Sequence, residues 1–447
     1  MSAGSVARRQ LVARLAAAGG AVALAACGAP GTEGGKAQPA RAPVTLEAWS
    51  PWEGTPGDWE RRHAAFQQVH PHITLQWTGT GFGTYLDKVT TAVASGTSHD
   101  LSYLDNQHQG FFGRNKLVID QGPLGKKDRD FRVDQIEPKA LDLFTYDGAV
   151  LGYPWMLTTG QVFFNRAIFQ AAGQPTPEEL YKQGRWTWDA MAQAAVALTR
   201  RGPDGKVQVL GLSHMSIWRL ALNSNGSDLF DDFRRPKKSR LDEPAAIQAI
   251  EYIHDVAHKH QAAWKQPEAA DLGGNNNEAM NQGKVAMHVS WGVPYAGNLR
   301  YAQVWDKLGW APFPRGPASG GKVVADLTTE AQGIISASKN QEAAWLYARW
   351  YQKDWQRALL EEKSQPRVAS RRDLLDLSRA SLPAPQDLWF EMARSGVARP
   401  VFPDWNKVNA EILNANLNPV WDGKAAPRQA ALTAAKQLND FFAANPQ

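Results

Sequence analysis

Three short apolar runs decide the fold of this chain: VTLEAW at Val44–Trp49, ITLQW at Ile73–Trp77 and LSYL at Leu101–Leu104. Between them lie two segments with helical periodicity, Trp59–Val69 and Tyr85–Ala94. Strands that alternate with helices of this length are typical of a parallel sheet with helices packed on its faces. The sequence therefore predicts an α/β fold.

The loops after the first and third strands carry side chains suited to holding a small ligand. In parallel sheets, ligands bind beyond the carboxyl ends of the strands. Here Trp49, Trp52 and Glu53 follow the first strand, and Asp105 and Asn106 follow the third. We expect these residues to contact a ligand.

The first residues have the features of an export signal. Arg8 and Arg9 precede an apolar run at 15–26, which is shorter than the roughly 20 residues that cross a bilayer. Residues 1–26 are therefore predicted to be a signal peptide. The arginine pair also resembles a twin-arginine signal, which leaves the export route open.

The string LAAC at 24–27 contains the only cysteine of the chain. It resembles the cleavage motif of bacterial lipoproteins, in which the cysteine becomes the first mature residue and carries lipid. Residues 28–43 are mostly glycine, alanine, proline and small polar residues, which form a flexible tether. We expect a lipidated Cys27 and a tether at 27–43. A free cysteine in an ordinary signal peptide is the alternative.

Composition narrows the class of protein. The chain has 447 residues and a formal charge of +5, and removing residues 1–26 would remove three arginines and leave a charge near +2 on 421 residues. Acidic and basic residues are mixed along the chain, so no nucleic-acid partner is expected. A single cysteine excludes an intramolecular disulfide. The length suits two lobes rather than one core.

A series of short motifs follows in a set order. They are His70-Pro71, Ser95-Gly96, Gly152-Tyr153-Pro154-Trp155, Phe163-Phe164-Asn165-Arg166, Trp186-Thr187-Trp188-Asp189, Gly283-Lys284-Val285-Ala286-Met287 and Pro312-Phe313-Pro314. Each is weak alone, but their order and spacing over residues 44–447 resemble family 1 extracellular solute-binding proteins, the sugar-binding components of ABC importers.

The resemblance implies a two-lobed, type II periplasmic-binding-protein-like fold with the ligand cleft between the lobes. The lobes would be joined by crossings near Leu157–Gly160, Asp326–Glu330 and Gln365–Arg367, and would close on the ligand by a hinge motion. We place the amino-terminal lobe at 44–158 plus 329–366 and the carboxy-terminal lobe at 159–328 plus 367–447.

A sugar site needs flat aromatic rings for the C–H faces of the ligand and polar groups for its hydroxyls. The predicted ligand-binding aromatics, from strand ends, crossings and family positions, are Trp49, Trp52, Trp155, Trp218, Trp291 and Tyr295. The predicted polar partners are Glu53, Asp105, Asn106, Gln161 and Arg367. Core packing competes with this interpretation for every ring. We assign Trp186, Trp345, Trp350, Trp355, Trp389, Trp405 and Trp421 to packing.

Other motifs are weaker. The loop Gly79–Gly83 lacks the Lys-Ser/Thr of a phosphate-binding loop. His254 and His258 have the i, i+4 spacing of metal ligands, but no Glu follows His254 as in zinc proteases, and we interpret the pair as part of an exposed helix face. We expect no catalytic residue, metal or cofactor.

The resemblance thus predicts a monomeric, carbohydrate-binding lipoprotein on the outer side of the bacterial cell membrane. It would deliver a sugar or oligosaccharide to the transmembrane permease subunits of an ABC transporter. Three alternatives stay open: the same fold binding a glycerol-phosphate ester or other polar solute, an exported glycoside-cleaving enzyme that uses Asp105 and Glu53, and a sensor or adhesion protein without a permease.

Overall fold

The computed structural model describes residues 42–51, 58–81, 84–97, 99–213, 218–263, 272, 276–292, 305–363 and 365–446. The predicted signal peptide and Cys27, and the tether up to residue 41, lie outside these described residues.

The strands form two main sheets and one small hairpin. In chain order they are β1 (Val44–Ser50), β2 (Ile73–Gly79), β3 (Leu101–Asp105), β4 (Thr145–Tyr146), β5 (Ala149–Val150), β6 (Met156–Asn165), β7 (Arg200–Arg201), β8 (Val207–Ser213), β9 (Val285–Trp291), β10 (Leu308–Pro312), β11 (Asp326–Thr328), β12 (Glu330–Ile334), β13 (Val368–Ala369) and β14 (Val397–Ala398).

Helices cover the sheets. In chain order they are α1 (Asp58–Val69), α2 (Tyr85–Ser95), α3 (Gln109–Arg114), α4 (Gly122–Lys127), α5 (Pro138–Asp142), α6 (Arg166–Ala171), α7 (Pro177–Lys182), α8 (Trp188–Leu198), α9 (Trp218–Ser224), α10 (Pro244–His254), α11 (Asn276–Asn281), α12 (Gln341–Trp350), α13 (Gln356–Glu361), α14 (Leu375–Ser381), α15 (Gln386–Ser395), α16 (Trp405–Val408), α17 (Ala415–Trp421) and α18 (Pro427–Ala444). Among the described residues, none of these helices is both long and apolar enough to cross a membrane.

The small sheet has the strand order β12-β3-β1-β2. β1 runs parallel to β2 and β3, as the sequence predicts, and β12 adds to β3 in the antiparallel direction. Along β1, Leu46, Ala48 and Ser50 are buried while Glu47 and Trp49 are half-buried, because successive side chains point to opposite faces. The elements predicted between residues 44 and 104 are confirmed, with ends that differ by at most two residues.

The large sheet has the order β14-β11-β6-β9-β8-β7, and β10 and β13 also pair with β6. It is mixed, since β6 runs antiparallel to β9, β10 and β11 while β8 and β9 are parallel. Polar caps begin the helices around it: Asn165 caps α6, Thr176 forms a capping box for α7, and Thr187 caps α8. The structural role predicted for Trp186, immediately before that last cap, is confirmed by its full burial.

Most of the tryptophans assigned to packing are buried. Trp345, Trp350 and Trp355 lie in the core of the small sheet, and Trp389 and Trp405 lie in cores of the large sheet. The packing assignment is confirmed for these five rings, while Trp421 is half-buried against the large-sheet core.

The two sheets meet where the chain passes from one to the other. Thr329 alone separates β11 of the large sheet from β12 of the small sheet. Immediately before β6, the backbone N–H of Trp155 donates to the carbonyl oxygen of Glu330 at 3.2 Å. β13 then pairs with the start of β6. These three segments bring residues distant in sequence to one place.

Candidate functional site

Asp326 is the centre of a polar cluster at the start of the segment that joins the two sheets. Its side chain is 1% exposed and accepts hydrogen bonds from three residues. Arg219 donates to Oδ1 at 2.6 Å, and Arg399 donates to Oδ2 through Nε at 3.1 Å, with its Nη2 atom 3.0 Å away. The indole N–H of Trp291 donates to Oδ2 at 2.9 Å. We call these four residues the Asp326 cluster.

The charges of this cluster are coupled. Burial alone would raise the pKa of Asp326, but the two arginines and the indole hydrogen bond lower it below its ordinary value. Burial lowers the pKa of Arg219, whereas Asp326 and Asp105 outweigh burial at Arg399 and raise its pKa. The buried carboxylate of Asp326 is therefore held in its charged form by its neighbours.

A second polar group lies around Glu330, the first residue of β12. Tyr103 and Trp155 donate side-chain hydrogen bonds to its carboxyl group. The guanidinium of Arg367 lies 4.1 Å from the ring centroid of Trp155, a cation–π contact. Asp105 pairs with Glu330 across the antiparallel ladder, so two carboxyl groups occupy neighbouring strands.

Asp105 lies between the two groups. Its carboxylate accepts the backbone N–H of Gln107 at 3.0 Å and the hydroxyl of Thr328 at 3.4 Å. It also interacts electrostatically with Arg219, Arg399 and Glu330. The carboxyl end of β3 thus contributes to the same region as Asp326.

The structure brings four of the predicted ligand-binding residues to this region: Asp105, Trp155, Trp291 and Arg367. Trp291 is half-buried, whereas Trp155 is only 4% exposed and packs against Tyr351 at 4.9 Å between ring centroids. Their roles as ligand contacts stay predictions.

The other described candidates lie differently. Trp49 is half-buried, stacks on His99 with ring centroids 4.3 Å apart, and donates its indole N–H to Glu47 at 2.6 Å. Trp218 is 8% exposed in the large-sheet core. Gln161 is fully buried, and its amide donates to the carbonyl oxygen of Gly292. Since all three have internal partners, their ligand roles also stay predictions.

Three candidates, Trp52, Glu53 and Tyr295, lie outside the described residues, and the side chain of Asn106 is likewise not described. Four residues of the region were not picked from the sequence: Arg219, Asp326, Glu330 and Arg399. The predicted crossing at Asp326–Glu330 was the available signal, because it placed two carboxylates at the junction of the lobes.

Contacts between the two sheet regions extend beyond these segments. Arg114 of α3 forms two hydrogen bonds of 2.7 Å with Asp404, and Arg235 pairs with Asp147 at 3.0 Å. Gly110 of α3 lies so close to the backbone at 401–403 that a Cβ atom there would stand 2.1 Å from the Val401 carbonyl oxygen. The two regions therefore touch directly.

Among the described residues, no group of three His, Cys, Asp or Glu side chains could hold a metal ion. His254 and His258 do lie close, with ring centroids 4.8 Å apart, but His258 is hydrogen-bonded to the carbonyl oxygen of Trp421 at 2.9 Å.

We expect Glu330→Gln to change how stability depends on pH. Burial raises the pKa of Glu330 from 4.5 to about 7 in the folded protein. The folded state therefore holds a proton that the unfolded chain releases, so this residue makes the protein less stable as pH rises from about 4.5 to 7. Relative to wild type, the variant should gain on the order of 2 kcal/mol of unfolding free energy between pH 5 and pH 8.5.

Urea denaturation at both pH values measures this gain, with the exposed Glu342→Gln of α12 as the matched control. An equal difference between variant and wild type at both pH values would contradict the raised pKa.

Comparison with known proteins places the fold. Residues 54–356 match the family model described as bacterial extracellular solute-binding protein. The diacetylchitobiose-binding protein DasA of Streptomyces coelicolor is 22% identical, with 97% of this chain and 98% of that protein covered. A mannitol-binding protein of Pseudomonas aeruginosa is 24% identical over 65% of each chain.

Solved structures show the same architecture. An ABC substrate-binding protein of Listeria monocytogenes in complex with cycloalternan superposes with a TM-score of 0.76 at 19% identity, over 90% of this chain and 99% of that one. The predicted α/β, two-lobed fold is thereby confirmed. Because the family model covers more than half of its length, the chain belongs to the bacterial extracellular solute-binding protein family.

Proposed function

We propose that this protein binds a sugar or oligosaccharide between its lobes and delivers it to the permease of an ABC transporter. The observation that carries the proposal is the junction of the two sheets, where the half-buried ring of Trp291 lies beside the carboxylate of Asp326 and the guanidinium of Arg399. An aromatic face beside fixed polar groups is what a saccharide requires. The relatives named above bind a polyol, a disaccharide and a cyclic oligosaccharide by their names, which supports this ligand class.

The balance of charge in this region favours a neutral ligand. Three arginines, Arg219, Arg367 and Arg399, stand with the carboxyl groups of Asp105, Asp326 and Glu330, of which Glu330 is about half protonated near pH 7. Two of the arginines already donate to Asp326. A phosphate ester would need a surplus of cationic donors, so a neutral polyhydroxylated ligand fits better than a glycerol-phosphate ester.

We assign the lobes to residues 44–158 plus 329–366 and 159–328 plus 367–447. The sheet order supports this assignment, since β12 completes the small sheet and β11 and β13 pair with β6. Ligand contacts from both lobes would favour the closed form, which is the form that a permease could distinguish from an empty, open one.

As a member of an extracellular family, the protein acts outside the cytoplasm. We propose that a signal peptide at 1–26 directs export and that lipid on Cys27 anchors a monomer to the cell membrane through the tether at 27–43. The LAAC string and the tether composition support this arrangement.

Glycoside cleavage is a second candidate with one observation in its favour. Asp105 and Glu330 are paired carboxyl groups, and burial keeps the pKa of Glu330 near 7, which suits a general acid. Both groups, however, have internal hydrogen-bond donors, and the family consists of binding proteins. We therefore propose binding without chemistry.

Titration calorimetry tests the proposal against mannitol, maltose, maltotetraose, N,N′-diacetylchitobiose and glycerol 3-phosphate. We expect saturable one-to-one binding of at least one neutral sugar or polyol, and recovery of that ligand unchanged after prolonged incubation. Exclusive binding of glycerol 3-phosphate would contradict the sugar assignment, and time-dependent appearance of cleaved sugar would contradict binding without chemistry.

A further inference from the structure

Trp291 contacts three neighbouring residues: Asp326, Arg399 and Gly160. Its indole N–H donates to Asp326, the guanidinium of Arg399 lies 5.1 Å from its ring centroid, and Gly160 pairs with it across the ladder. A Cβ atom at Gly160 would stand 3.0 Å from the indole nitrogen, so the glycine leaves room for this edge of the ring. Asp326 thus contacts the edge of the ring, Arg399 lies over one face, and Gly160 pairs with the backbone.

We propose that Asp326 is a positioning residue that fixes the ring plane of Trp291 for contact with the ligand. This inference rests on the proposed sugar-binding function. Asp326 is 1% exposed, and its oxygens are occupied by donors of this chain, so it acts on a ligand through the ring.

The arginines explain why an acid is needed here. Arg219 and Arg399 donate to both carboxylate oxygens, so the carboxylate is anchored on two sides before it accepts the indole N–H. An asparagine has the same shape but only one accepting oxygen, and its amide hydrogens would face the donors of an arginine. Asp326→Asn would therefore release Arg219 alone or Arg399 together with the indole, depending on which way its amide faces. Asp326→Ala removes every acceptor and is the variant that must release the indole.

Rigidity of the ring matters for binding because a mobile aromatic loses rotational freedom when a ligand packs on it. A ring fixed in advance avoids this cost. The expected signature of a positioning residue is thus a loss of affinity that requires the indole N–H.

The test combines a ligand-free signal with a double-mutant cycle. In full-length protein labelled with ¹⁵N-tryptophan, the indole resonance of Trp291 is assigned by its absence in Trp291→Phe. In Asp326→Ala, which lacks the acceptor of the indole N–H, we expect hydrogen exchange of this indole to be at least tenfold faster. The affinity for the tightest-binding neutral ligand of the panel should fall about tenfold in the wild-type background and less than threefold in the Trp291→Phe background.

Arg399→Lys provides a second variant if Asp326→Ala fails to fold. It keeps the positive charge but removes the forked donor, and exchange of the Trp291 indole should rise at least threefold. Unchanged indole exchange in both variants, or an equal loss of affinity with and without the indole, would overturn the proposal. If no neutral ligand of the panel binds wild type, the proposed function fails and this inference fails with it. If one binds and the coupling is absent, only this inference fails.

Discussion

Gly110→Ala should weaken sugar binding by about 100-fold or more without lowering the free energy of unfolding. In the structure, a Cβ atom at this position would stand 2.1 Å from the carbonyl oxygen of Val401 and 2.5 Å from the carbonyl carbon of Phe402. Both obstacles are backbone atoms, so no side-chain rotation relieves the clash. Moving the lobes apart does relieve it, because Gly110 lies in α3 beside the small sheet and Phe402 packs in the core of the large sheet.

The same substitution does not disfavour the helix itself, since alanine has a higher helix propensity than glycine. The expected result is therefore a stable protein that closes poorly. Calorimetry gives the dissociation constant, and urea denaturation gives the stability.

Gly122→Ala is the matched control, because the nearest atom to its Cβ would be Oδ1 of Asp120, a side chain in the same region of the chain. We expect its affinity to stay within about threefold of wild type. Wild-type affinity in Gly110→Ala, or a loss of affinity explained by a large fall in stability, would contradict the role of lobe closure.

Trp291→Ala should also weaken binding by about 100-fold, because it removes the half-buried aromatic ring of the Asp326 cluster. Stacking on a sugar, burial of the ring and positioning by Asp326 all disappear in this variant. If the ligand were instead a phosphate ester, Arg367→Ala would abolish binding and Trp291→Ala would leave it largely intact. The two variants together therefore distinguish the two ligand classes.

Trp421→Ala is the control for general loss of a large side chain. Trp421, the last residue of α17, is half-buried against the same large-sheet core as Trp291. Its ring centroid lies 6.3 Å from that of Trp218, and it is not part of the Asp326 cluster. Both variants should lose similar stability, while only Trp291→Ala should lose affinity. Equal losses of affinity would mean that the ring at 291 contributes packing alone.

The strands and helices around the small sheet could be predicted because their patterns are local. Residues 46–50 alternate buried and half-buried side chains, and helix α2 is capped by Gly96, whose φ of 71° is a conformation that glycine adopts readily. The antiparallel pairing of β12 with β3 could not be predicted from such local patterns. The pairing of Glu330 with Asp105 joins residues more than two hundred positions apart, and no local pattern encodes it.

The residues of the candidate site show the same difference between local sequence signals and long-range contacts. Asp105, at a strand end, and Trp291, at a family position, were accessible to sequence reasoning. Arg219 and Arg399 were not, because their importance comes from meeting Asp326, and an arginine on a helix or in a loop has the same sequence signature as any solvated one. Gln161 shows the opposite case: a polar residue next to the predicted crossing at Leu157–Gly160 that is fully buried and hydrogen-bonded to the carbonyl oxygen of Gly292.

The proposed function is tested most directly by measuring whether a sugar draws the two lobes together and is released chemically unaltered. Asn115 and Lys237 are exposed positions; Asn115 directly follows Arg114 and Lys237 lies near Arg235, and these two arginines make contacts between the lobes. Cysteines placed at the two exposed positions can carry spin labels once Cys27, the only cysteine of the chain, is replaced by serine. The labels then report the distance between the lobes. A sugar that binds should convert the distance distribution to a single shorter separation, and chromatography should recover that sugar intact. An unchanged distribution at saturating sugar, or a cleaved product, would contradict the account.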